Sequence, residues 1–76
     1  MDMRQVVGEN FRRLRMQAGL SQRAVADLMG VDRAYVSGLE QGKRNPTVVT
    51  LWHIAQALNV EPAAMLQTQP GQQERQ

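Results

Sequence analysis

Arg33, Ala34, Ser37, Gly38 and Gln41 fall on one side of a single helical stretch, RAYVSGLEQ, and none of them is a large apolar group. Their chemistry is that of recognition rather than bond-making. A guanidinium in the first turn of a helix can donate two hydrogen bonds to a flat acceptor pair such as O6 and N7 of guanine, worth ~1–3 kcal/mol of discrimination. The Ser37 hydroxyl, one turn later, can bond a base or a phosphate, and the Ala34 methyl can meet a thymine methyl. The plainer readings are a solvated surface arginine or a phosphate contact. The opposite side of the stretch helps to decide. Val36 and Leu39 are apolar and face inward with Val25 and Met29. A helix that is apolar behind and small or polar in front suits close approach to another polar surface.

The elements that position this face can be read around it. Ser21 is a good N-cap, and helix-permissive residues follow it up to Gly30. Asp32 is a second N-cap, followed by helix-permissive sequence to Gln41 and then Gly42. Leu20 with Val25, and Val31 with Val36, each fit a hydrophobic staple, which fixes the angle at which chain enters helix. Gly30 can take the positive φ that ends the first helix. Ala26 is small where two helices must cross closely. Two helices joined by a three-residue turn containing glycine make a helix-turn-helix, here residues 22–41, whose second helix can enter a DNA groove as a rigid rod.

The rest of the chain supplies a scaffold. Helix 1 is expected from Met3 to Ala18, with Val7, Phe11, Leu14 and Ala18 on one apolar face and Gly19 as its stop. QGKRNP is a loop by its Gly, Asn and Pro content. Thr47 caps a fourth helix from Val48 to Leu58, whose buried face is Val48, Leu51, Ile54, Ala55 and Leu58, and Asn59 ends it. Pro62 opens a short fifth helix, with Val60 and Met65 as a staple. Met16, Met29 and Met65 read as core or interface filler. Residues 67–76, QTQPGQQERQ, carry no apolar residue and are expected to be a disordered polar tail. The expected fold is all-α, a compact bundle of five short helices in one domain, residues 1–66.

Composition narrows the function classes. The chain has 76 residues, no cysteine and one histidine, so it offers neither a disulfide nor a thiolate metal site, and His53 alone holds no metal. No apolar run approaches the ~20 residues that span a bilayer, and MDMRQVVGEN lacks the apolar centre of a signal peptide. The expected location is the cytoplasm, and the initiating methionine points to a complete small regulator. Net charge is only +2, from nine Lys and Arg against seven Asp and Glu. Placement says more, because Arg12, Arg13, Arg23, Arg33, Lys43 and Arg44 lie at or near the helix-turn-helix. No nucleophile–base set, carboxylate pair, glycine-rich phosphate loop or ligand pocket is evident, so neither an enzyme, a cofactor nor a small-molecule ligand is expected.

The run GLSQRAVADLMGVDRAYVSGLEQGKRNP followed by LWHIAQAL resembles the Cro/C1-type, or XRE-type, helix-turn-helix family, over residues 7 to 66. The residues that carry the resemblance are Gly19, Leu20-Ser21-Gln22, Val25-Ala26, Gly30, Val36-Ser37, Leu39-Glu40, Gly42-Lys43, Pro46, Ile54-Ala55 and Ala57-Leu58. It implies a lambda-repressor-like DNA-binding domain that binds double-stranded DNA. It implies base contacts from Arg33, Ala34, Ser37 and Gly38. Gln22 is implied to touch a phosphate and to brace the recognition helix. Gln41, Lys43, Arg44 and Asn45 match the loop that contacts the DNA backbone, and Arg15 with Glu40 a buried structural ion pair between helices 1 and 3.

Other contacts follow from the residues. The free N–H groups near Ser21 and Arg23 favour a phosphate, and the Tyr35 hydroxyl can reach DNA or its ring can pack on the domain. Gly38 either lets the helix come close to DNA or leaves fewer bases read directly, with DNA shape supplying the rest.

The first functional expectation is a sequence-specific transcriptional regulator reading the major groove with residues 33–41. It would act as a homodimer on a palindromic operator, joined through helices 4 and 5; Val49 and Trp52, three residues apart on helix 4, read first as packing within the domain and alternatively as a stripe that meets a partner. The alternative is an antitoxin or other protein–protein adaptor, with DNA binding secondary. Restriction–modification controllers are among the small family members that RAYVSGLEQGKRNP resembles.

Overall fold

A helix leaves unpaired N–H groups at its start and unpaired carbonyls at its end, and this chain meets both with short-range devices. The computed structural model describes residues 1–68, so most of the tail expected at 67–76 lies outside the described residues. Its elements are α1 (Met3–Gln17), α2 (Gln22–Met29), α3 (Arg33–Glu40), α4 (Val48–Leu58) and a 3-10 helix (Pro62–Leu66), with no strand among the described residues. Side-chain oxygens of Asp2, Ser21 and Thr47 accept the amides of Arg4, Ala24 and Thr50, each at 3.0 Å. Arg4 also bonds the Asp2 carboxylate through its guanidinium, and this hydrogen bonding holds Asp2 below the usual carboxylate range. Asp32 occupies the N-cap position of α3 with extended backbone, but its side chain accepts no capping bond.

Each of the four α-helices is followed within two residues by a left-handed residue: Gly19, Gly30, Gly42 and Asn59. At Gly30 (φ 71°) the amide of Val31 reaches the Ala26 carbonyl at 3.0 Å and that of Gly30 reaches Asp27 at 3.3 Å. With this closure only three residues, Gly30 to Asp32, separate α2 from α3. The first helix closes one residue sooner than expected, and Ala18, expected on its apolar face, is exposed. The fifth helix is a 3-10 turn, with the Ala64 amide on the Glu61 carbonyl at 2.9 Å. Short pieces of this length are where the tighter 3-10 pattern is commonly found.

α1 packs on α3 and the 3-10 helix, α2 on α3 and α4, and α4 on the 3-10 helix. Phe11, Val25, Val36, Leu39, Ile54 and Met65 fill the centre, each at most 1% exposed. Burial along α4 fades toward its start. Ile54 and Ala55 are at 0%, Leu51 is partly buried, and Val48, expected on the buried face, is 82% exposed. The first turn of α4 overhangs the core. Met16, expected as filler, is 59% exposed at the end of α1.

Two contacts on α1 fix the helices that matter for the site. Gly8 lies against the end of α3, where a Cβ would stand 2.5 Å from the Leu39 carbonyl oxygen and 2.8 Å from that of Glu40. The two backbones meet there with no room for a side chain. Asn10, 3% exposed, donates from Nδ2 to the carbonyls of Met65 (2.9 Å) and Gln67 (2.8 Å), tying the end of the domain to α1. Those carbonyls lie beyond or at the end of a helix and need donors.

Candidate nucleic-acid interface

α3 lies on the domain with its two faces sharply unequal. Val36 and Leu39 are 0% and 1% exposed, while Arg33, Ala34 and, just past the helix, Gln41 are exposed. Ser37, Gly38 and Tyr35 lie at its flanks, partly covered. Ser21 and Arg23 at the start of α2, and Lys43, Arg44 and Asn45 after α3, are exposed as well. Among the described residues no helix is long and apolar enough to cross a membrane, and no group of three His, Cys, Asp or Glu could hold a metal ion.

A chain of hydrogen bonds runs outward from beneath α3. Arg15 of α1 grips Glu40 in a forked pair, Nε to Oε2 and Nη2 to Oε1 (3.0 Å), and a third donor, Nη1, bonds the Leu20 carbonyl at 2.9 Å. The two side chains are 12% and 4% exposed. The hydrogen bond to Glu40 raises the Arg15 pKa further, with burial acting the other way, so Arg15 stays charged. Glu40 Oε1 also accepts from Gln22 Nε2 at 3.1 Å, and Gln22 Oε1 accepts from Arg33 Nη1 at 3.0 Å. The structure thus joins Arg15, Glu40, Gln22 and Arg33 across three helices.

A second cluster occupies the flank of α3. The Arg44 guanidinium carbon stands 5.5 Å from the centroid of the Tyr35 ring, within cation–π range. The stem of the same arginine crosses Gly38, where an added Cβ would come within 3.3 Å of Arg44 Cγ and 3.4 Å of Nε. Gly38 therefore makes a slot for Arg44, a role that sequence reasoning missed although a glycine inside a short helix was a visible signal. Gln41 Nε2 donates to Ser37 Oγ at 3.0 Å, joining two more of the outward residues. Arg13 stands apart, because its Nη2 donates to Asn10 Oδ1 at 3.1 Å, by the 3-10 helix.

The exposed cations, the donor-rich outer face and the packed inner face give a surface that can meet phosphates at its edges and flat acceptors at its centre. Comparison with known proteins bears on what that surface is. A family model described as Helix-turn-helix matches residues 11–65. The chain is 55% identical over 60 residues to the uncharacterized HTH-type transcriptional regulator y4dJ of Sinorhizobium fredii, covering 79% of this chain and 78% of that one. It is 36% identical over 69 residues to the control protein C.SmaI of Serratia marcescens, covering 91% and 82%. Among solved structures, the restriction-modification controller protein C.AhdI from Aeromonas hydrophila superposes with a TM-score of 0.78 at 42% identity, covering 82% of this chain and 94% of that one. Because the matched span takes in α2, the turn at Gly30 and all of α3, the chain belongs to the helix-turn-helix family.

Proposed function

We propose that the protein is a sequence-specific regulator of transcription. It binds double-stranded DNA, lays α3 in the major groove, and does so as a homodimer on a palindromic site. The observation that carries this reading is the contrast across α3, with Val36 and Leu39 buried behind and Arg33 and Ala34 exposed in front. A recognition helix needs that contrast, since it must be both free to enter a groove and braced against rotation. Relatives described as transcriptional regulators and control proteins support the same reading.

The roles follow from position. Arg33 offers a guanidinium to guanine O6 and N7, Ala34 a methyl, and Ser37 a hydroxyl. Ser21, Gln22 and Arg23 lie at the start of α2, whose free amides favour a phosphate. Lys43, Arg44 and Asn45 meet the backbone on the far side, and Tyr35 joins them through Arg44. Gly38 serves by admitting Arg44 alongside the helix. One recognition helix spans few base pairs, so a two-fold dimer with half-sites ~34 Å apart supplies the remaining contacts. Val49 (64% exposed) and Trp52 (50%) on α4, with Leu66 (48%) on the 3-10 helix, are the apolar residues such a dimer would cover. The proposed role needs neither catalysis nor a cofactor, and it places the protein in the cytoplasm with its DNA.

The experiment is footprinting across the DNA that flanks the protein's own coding region, followed by affinity measurements on the protected duplex and on mixed-sequence DNA. Arg33→Ala should weaken the protected site about tenfold more than mixed-sequence DNA, the worth of one forked base contact. Equal losses on both would reduce Arg33 to a backbone contact. The exposed apolar residues of α4 also suit the adaptor reading. A partner bound through them would show little dependence on salt, whereas DNA binding falls steeply with it.

A further inference from the structure

We propose that Asp32 is a specificity-determining residue, whose carboxylate accepts the N4 amino group of a cytosine in the base pair next to the one Arg33 reads. This rests on the DNA-reading role above and adds a second base to it.

α3 begins differently from the other three α-helices. The N-cap side chains of α1, α2 and α4 turn back on the helix and accept the amides of Arg4, Ala24 and Thr50, each at 3.0 Å. Asp32 has the same extended backbone, and its carbonyl accepts the amides of Tyr35 (3.0 Å) and Val36 (3.4 Å), so the helix closes in the ordinary way. Its carboxylate takes no part. Nor is that charge neutralised. Asp2 pairs with Arg4 and Glu40 with Arg15, while Arg33, the next residue, turns its guanidinium to Gln22 instead. Among the described residues the Asp32 carboxylate has no partner, and the residue is exposed.

An unpaired acid is out of place on a surface that meets only phosphates, because it lowers affinity for every duplex alike. It has a use where it meets a base. The first residues of a recognition helix are the ones that contact base edges. Asp32 and Arg33 have Cα atoms about 3.8 Å apart, close to the roughly 3.4 Å rise of one base pair, so the two side chains suit neighbouring pairs. An ionised carboxylate only accepts hydrogen bonds. In the major groove cytosine offers the N4 donor with no acceptor beside it, whereas adenine sets the N7 acceptor next to its N6 donor. Guanine and thymine offer acceptors there, which a carboxylate repels. Arg33, with donors only, and Asp32, with acceptors only, therefore select guanine and cytosine in turn.

Asp32→Asn and Asp32→Ser test this, because both replacements serve an N-cap about as well as Asp and so keep the fold. Each variant, the wild type and Arg33→Ala are used to enrich sites from a pool of random-sequence duplexes. Arg33→Ala marks its guanine by the preference it removes. The wild type should prefer cytosine by about fivefold at one position flanking that guanine. An Asn amide carries a donor and an acceptor and matches adenine N6 and N7, so Asp32→Asn should move the preference at that position from cytosine to adenine. Asp32→Ser should flatten it. Both variants should bind mixed-sequence DNA about twofold more tightly, with one negative charge fewer near the phosphates.

The same preferred base at every position in wild type, Asp32→Asn and Asp32→Ser would overturn the proposal and leave the DNA-reading role standing. A fall in melting temperature with unaltered preferences would overturn it too, and would assign the carboxylate to the dipole of α3 alone. A wild type that enriches no sequence would defeat the DNA-reading role itself, and this proposal with it.

Discussion

Gly8→Ala should destabilise the protein, although glycine-to-alanine inside a helix ordinarily stabilises by ~1 kcal/mol. The sign reverses because of what a Cβ would meet. It would stand 2.5 Å from the Leu39 carbonyl oxygen, and 2.8 Å from that of Glu40. A comfortable carbon–oxygen contact is ~3.3 Å, so α1 and α3 must separate by about 0.8 Å. These are backbone atoms and cannot swing aside. The separation also disturbs Phe11 and Leu39, which are 0% and 1% exposed at the same crossing. Overpacking of this kind costs up to ~3 kcal/mol, and after the helix-propensity gain the net loss is about 2 kcal/mol. For a domain of this size that is a fall in Tm of ~10 °C. Thermal unfolding followed by far-UV circular dichroism measures it. Gly38→Ala is the control, since its new Cβ meets only the flexible Arg44 side chain at 3.3 Å. That variant should melt at the wild-type temperature or above. If Gly8→Ala also melts no lower than wild type, the close crossing that seats α3 is refuted.

Two further outcomes are expected. Removing either member of the Arg15–Glu40 pair alone strands a buried charge at ~3–5 kcal/mol, enough to unfold a small domain, whereas Arg15→Leu with Glu40→Leu should melt above either single variant; a double variant no better than the singles would show that the pair is not the source of the loss. Lys43→Ala should weaken binding to all DNA sequences alike and flatten the salt dependence of affinity by about one charge, as read from anisotropy titrations across a salt series, and a sequence-selective loss would contradict its backbone role.

Much of the scaffold was legible because its signals are local. Ser21, Thr47 and the glycines at 19, 30 and 42 each act within a few residues of themselves, and the structure places helix ends there. Asp32 shows the limit of such reading, since the residue type and backbone are right but the capping bond is not made. What stayed hidden depends on partners far along the chain. Nothing in the sequence of α1 singles out Gly8, whose role appears only with Leu39 and Glu40 against it. Nor is Asn10 marked until Met65 and Gln67 present carbonyls to it. Val48 fits an apolar rhythm, but periodicity does not tell how far the core extends beneath a helix, and its turn overhangs. The candidate site divides in the same way. The outward residues of α3 follow from helical spacing. The route from Glu40 through Gln22 to Arg33 needs three helices in place, and so does the path of Arg44 over Gly38 need the loop after α3.

The most direct test of whether α3 is the surface that enters DNA is backbone amide shift mapping on the intact protein, titrated with the duplex protected in footprinting. Large shifts confined to residues 21–23 and 32–45, with α4 perturbed little, are the predicted result. Shifts centred on α4 and the 3-10 helix, with α3 unmoved, would contradict it.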